Sequence, residues 1–79
     1  VALFDHARVI SNFDGALAWF ELDIFSGDGV EHQRLNDHAA RDEAIRNLGL
    51  QGYGLVTVTL ENDRHEPISR EHLWFRREV

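Results

Sequence analysis

Five histidines and fourteen acidic residues are the groups with which this chain could hold a metal ion or move a proton. A helical zinc site needs two histidines four residues apart, or His-Glu-x-x-His, so that both imidazoles leave one face. None of His6, His32, His38, His65 and His72 has that spacing. His32 and His38 are six apart, across an expected loop-helix junction, and the neighbouring Asp28, Glu31, Asp37 and Asp42 complete no ligand pattern. The histidines therefore read as solvent-facing. No metal or other cofactor is expected.

The hydroxyls available to a nucleophilic mechanism are few, namely Ser11, Ser26, Ser69, Thr57 and Thr59. Ser26 lies in Phe-Ser-Gly-Asp-Gly, which lacks the flanking glycines of a G-x-S-x-G elbow and reads as a turn. Glu21 and Asp23 share a strand face, but paired acids on a strand are ordinarily solvated unless a pocket raises one pKa. Gly27-Asp28-Gly29 matches neither phosphate-cradling glycine pattern. No catalytic residue is assigned, and the chain is expected not to act as an enzyme.

What must position these groups is small. The chain has 79 residues, no cysteine, and eight Arg against fourteen Asp and Glu, for a net charge of −6. A chain of this size buries only about 60% of the surface its unfolded form exposes, enough for one core, so residues 1–79 are expected to form a single domain. With no disulfide or thiolate zinc site, stability must come from packing or association. The negative balance argues against direct nucleic-acid or anionic-membrane binding, which needs clustered cations. No apolar run approaches the roughly 18 to 20 residues of a membrane span, and a cytoplasmic location is expected.

Ala7 to Ser11 reads as a short strand leading through Asn12-Phe13-Asp14-Gly15 into a hairpin. Ala16 to Phe25 alternates, with Phe20, Leu22 and Ile24 on one side and Trp19, Glu21, Asp23 and Phe25 on the other. Ser26 to Gly29 ends it, and a polar loop is expected to follow. Asn36 or Asp37 caps a helix running to about Leu48, with Gly49 in the left-handed closing position. Ala40, Ala44, Ile45 and Leu48 form its apolar face. Gly52 to Leu60 and Arg70 to Arg77 read as strands joined by the polar stretch Glu61 to Ser69. The expected fold is α+β, a small antiparallel sheet with one helix on one face, in the order β-β-α-β-β.

Ala44-Ile-Arg-Asn-Leu-Gly-Leu-Gln-Gly-Tyr-Gly-Leu-Val-Thr-Val58 resembles the signature of the bacterial domain of unknown function 4177 family, roughly LLNxLGxxGWELVxV. The residues that match are Ile45, Leu48, Gly49, Gly52, Leu55 and Val56, with Phe75 and Arg76 in the closing strand. Tyr53, Gly54 and Arg46 depart from the pattern, where that family has Trp, Glu and Asn. The resemblance implies a bacterial α+β fold and carries no activity and no site residues.

If one helix covers the side bearing Phe20, Leu22, Ile24, Val56, Val58, Leu60, Leu73 and Phe75, the opposite side keeps Trp19, Phe25, Tyr53, Leu55 and Trp74. A one-helix sheet normally turns a polar face to water, so this patch needs a cover. Val1, Leu3 and Phe4, or the first hairpin strand, are one candidate. The other is a protein partner or a second copy in a homodimer, with Trp19, Phe25, Tyr53, Leu55, Trp74 and Arg76 as the partner-binding residues. The marginal core of so small a domain favours the second, through the open face or an adjacent edge. The reading is a non-enzymatic protein-interaction or self-association module. The alternatives are an acidic inhibitor occupying a cationic nucleic-acid-binding site of another protein, and a metal or small-ligand domain using His and Asp/Glu.

Overall fold

The computed structural model describes residues 3–62 and 68–79. They form β1 (Phe4–Asp14), β2 (Leu17–Ser26), β3 (Gly29–Leu35), α1 (His38–Leu50), β4 (Gly54–Asn62) and β5 (Ile68–Glu78). Every neighbouring pair of strands is antiparallel, and their order across the sheet is β3-β2-β1-β5-β4. The expected succession β-β-α-β-β is thereby corrected, since three strands precede the helix and the sheet has five.

The added element is β3, in the stretch expected to be loop. Gly29-Val-Glu-His-Gln-Arg-Leu35 has apolar side chains only near its two ends, so it shows no period-two signal. It is a strand because the Gly27-Asp28 turn folds it back on β2, pairing Ser26 with Gly29 and Phe25 with Val30. The first strand is also longer than expected and runs down the middle of the sheet. Its turn comes at Gly15, which takes the left-handed φ of 59° that glycine tolerates best. Part of the expected connector Glu61 to Ser69 is strand, while His65 and Pro67 lie outside the described residues, as does Val1.

Asp37 is the helix N-cap, its Oδ1 accepting from the Ala40 N–H at 2.7 Å. The C-terminus closes three residues beyond the glycine expected to do so. Gly49 is inside the helix, and Gly52 takes the left-handed position, with φ 91°. The Gly52 N–H donates to the Gly49 carbonyl at 3.1 Å and the Tyr53 N–H to the Leu48 carbonyl at 2.9 Å. These two bonds are the pair that defines a Schellman cap, which brings the residue after the glycine against the last helical turn. Tyr53 and Leu48 accordingly lie together in the core with Ala7, Val9 and Phe75. A second group, Phe20, Leu35 and Ala44, continues it toward β3. Among the described residues no helix is long and apolar enough to cross a membrane.

Candidate functional site

The face of the sheet away from α1 is organised as rows of directly opposed residues. One row is His32, Asp23, Arg8, Trp74 and Thr57, and the next is Arg34, Glu21, Ile10, His72 and Thr59. Polar side chains join these rows across all five strands. His32 Nδ1 lies 2.5 Å from Asp23 Oδ1, and Arg8 donates to Asp23 Oδ2 from Nη2 at 2.6 Å and Nε at 3.0 Å. His32 Nε2 is 3.7 Å from Glu21, which accepts from Asn12 Nδ2 at 3.0 Å. Asn12 accepts from Arg70 Nε at 3.0 Å; Arg70 is 3.8 Å from Glu61, and Glu61 is 3.1 Å from His72 Nε2.

Asp23 is the buried centre of this lattice. Burial works against its ionisation. Hydrogen bonds from His32 and Arg8, and the positive charges behind them, outweigh that penalty and hold its carboxyl below the ordinary range. Phe25, Trp74 and Phe4 on this face are engaged by the chain's own arginines. The Arg8 guanidinium carbon lies 5.0 Å from the Trp74 ring centre and 5.6 Å from that of Phe25. Trp74 in turn stacks on His72, and Arg76 sits 4.7 Å over Phe4.

The six residues expected to bind a partner are therefore divided. Trp19, Phe25, Trp74 and Arg76 lie on the face away from the helix, where Trp19, Phe25 and Trp74 are half-buried and Arg76 is exposed. Tyr53 and Leu55 do not. Tyr53 is turned into the helix-side core by the Schellman cap, with Arg77 4.6 Å over its ring. Leu55 lies opposite Phe75, a core residue, and so belongs to the helix side. The reason is a register shift between Leu55 and Thr57, which breaks the alternation by one residue and moves Leu55 to the side of Val58 and Leu60. Phe4 lies beneath Arg76 and Leu3 is exposed, while β1 occupies the middle of the sheet. Leu3 and the first strand thus provide no layer over the face.

The helix leaves a different surface uncovered. Its packing reaches β1, β2 and β5, and along β4 every residue is exposed: Leu55 by 58%, Val56 by 51%, Val58 by 47% and Leu60 by 75%. β4 is also one of the two sheet edges. The opposite edge, β3, carries Glu31, His32, Gln33 and Arg34 in succession, and charged edges of this kind discourage further pairing. From Leu55 to Leu60 β4 has no charge and no proline, only Leu-Val-Thr-Val-Thr-Leu.

A shallow groove of about 500 Å³ lies between α1 and β3, floored by Leu22, Leu35 and Ala44 and rimmed by Glu31, Glu43 and Asn47. Among the described residues no cluster of three or more His, Asp or Glu side chains could hold a metal ion. No protein-family model matches the chain, and no curated protein matches it. The likeness to the domain of unknown function 4177 family thus rests on the quoted residues alone.

Proposed function

We propose that this chain is a protein-association domain that works by strand addition, its β4 edge accepting a further antiparallel strand. One observation carries the reading: a nine-residue edge strand, exposed throughout, whose centre is neutral and β-branched while the opposite edge is charged. Strand addition satisfies the outward backbone N–H and C=O groups of such an edge and covers alternate side chains, giving affinity and register together. The rest of the sheet supports the edge rather than competing with it. β5 pairs with β1 and β4 along its length, and the polar lattice ties Glu61 to Arg70 and His72. The proposal moves the association surface from the aromatic face to the adjacent edge and keeps a cytoplasmic setting.

The acidic-inhibitor alternative draws less support. A phosphate mimic needs a concentrated, unpaired negative face, whereas Asp5, Asp23, Glu61 and Glu71 are each paired with an arginine.

The test uses a peptide of alternating Val and Thr with Lys at both ends, and a control peptide with Pro at its centre. Saturable NMR shifts confined to residues 54–62, absent with the proline peptide and with the Val58→Lys protein, are expected. Absence of saturable shifts, or shifts centred on β3 or the aromatic face, would reject strand addition at β4.

A further inference from the structure

We propose that the strand added at β4 is β4 of a second copy of this chain, antiparallel and centred on Thr59, so that the two sheets become one. The inference rests on the strand-addition reading and names its partner.

Symmetry and side-chain parity select the register. Two identical strands paired antiparallel in one sheet are related by a two-fold axis perpendicular to it, which keeps each residue on its own face. Opposed residues must then share a face, so the axis passes midway between one residue and its own copy, never level with the gap between two successive residues. The register shift between Leu55 and Thr57 disturbs this parity at the start of β4, whereas Thr57 to Asn62 pair regularly with Trp74 to Ser69. Within that stretch Val58 and Leu60 face the helix side, opposite Leu73 and Glu71, and Thr57, Thr59 and Glu61 face the other.

Centring on Thr59 uses the regular segment Thr57 to Glu61. It opposes Thr59 to its own copy, Val58 to the partner's Leu60 and Thr57 to the partner's Glu61, the last two occurring twice. Apolar residues meet apolar ones on the helix side, hydroxyls meet hydroxyls or a carboxylate on the other, and no like charges face each other. Centring on Val58 instead sets Leu60 against the disturbed position Val56, and centring on Leu60 sets Val58 against Asn62. Both helices fall on the same face of the joined sheet. Each packs over its own β1 and β2 and reaches Phe75 and Glu71 of β5, while β4 at the seam stays exposed throughout, so neither covers it.

The absence of cysteine from the chain makes a single-cysteine scan unambiguous. Directly opposed residues bring Cβ atoms to about 4.5 to 5.5 Å, within adjustment of disulfide geometry, and diagonal neighbours are about 7 to 8 Å apart. Thr57→Cys, Val58→Cys, Thr59→Cys and Leu60→Cys proteins are oxidised mildly at matched concentration, and wild type and Val58→Lys are sedimented over a wide concentration range. The expected results are crosslinking several-fold faster at position 59 than at the other three, a concentration-dependent dimer for wild type, and a folded monomer for Val58→Lys. Fastest crosslinking at another position, or equal rates at all four, would overturn the Thr59 register. A wild-type monomer at millimolar concentration would overturn the second copy as partner; saturable peptide binding at β4 in the same sample would leave strand addition standing. A Val58→Lys dimer equal to wild type would place self-association elsewhere and overturn the proposal.

Discussion

Arg8 and Asp23 face each other directly across β1 and β2, and both donor contacts from the guanidinium converge on one carboxylate oxygen. The other oxygen is left for His32 on β3. Three strands are thus joined through one buried carboxylate.

Removing the cation leaves that carboxylate with less compensation for its burial. Arg8→Met, which retains much of the side chain's apolar volume, is expected to lower stability by about 2 to 3 kcal/mol at neutral pH, less than the roughly 3 to 5 kcal/mol of breaking a fully buried pair because Arg8 is partly exposed. Urea unfolding of the two proteins measures it. A change under about 0.5 kcal/mol would count the pair as a surface contact.

The same carboxylate gives a pH dependence of definite sign. Asp23 is held below its ordinary value in the folded chain, so its contribution is complete above the unfolded value of about 3.9 and is lost as pH falls through the lower folded value. Asp23→Asn is expected to be less stable than wild type at pH 7, with the gap narrowing below about pH 4 as wild type loses this term. Stability curves for both proteins from pH 2 to pH 7 test this. A gap that widened on acidification would reverse the assignment.

Arg41 is the polar tether between helix and sheet, donating to Ser11 Oγ on β1 at 3.0 Å and to Glu71 on β5 at 3.3 Å. Ser11 is buried, so losing the donor leaves a hydroxyl without this partner in the core. Arg41→Met is expected to cost about 1 to 2 kcal/mol. Amide hydrogen exchange should accelerate in α1 more than in β1, because the tether holds the helix down and is no part of the ladder.

Two glycines three residues apart are expected to respond with opposite signs. An added Cβ meets nothing within 4 Å at either position, so backbone conformation decides. Gly49→Ala, inside α1, is expected to stabilise by about 0.5 to 1 kcal/mol. Gly52→Ala places a side chain at φ 91° and is expected to destabilise by about 1 to 2 kcal/mol. Calorimetry of both variants checks the pair, and equal signs would reject the assigned cap.

Some of this was legible in the residues and some was not. The alternation of Phe20, Leu22 and Ile24 and the apolar stripe Ala40, Ala44, Ile45 and Leu48 announce the surfaces that meet in the core. β3 is hidden in the sequence because an edge strand exposed from Gly29 to Arg34, with only Leu35 buried, has no need of alternating hydrophobicity. Tyr53 leaves its expected face because it belongs to the helix cap and precedes the strand, outside the alternation of β4. Leu55 was misplaced because one extra residue in β4 reverses the count, and nothing in Leu-Val-Thr-Val marks where it falls. The aromatic face looked uncovered because sequence spacing does not reveal that Arg8 and Arg76 lie over Trp74, Phe25 and Phe4.

The pairing of β1 with β5, from Phe4 with Glu78 to Asp14 with Ile68, also governs the order in which the molecule can assemble. β1, β2 and β3 can form a meander as soon as they are synthesised, but one side of β1 then has no neighbour until the final strand arrives. Folding is expected to be slow for a domain this small, since its central contacts join residues far apart in the chain and their loop-closure entropy must be met first. During that interval β1 is a second bare edge, in the middle of what becomes the sheet. A nascent chain halted before β5 should therefore be much more prone to aggregate than the finished protein.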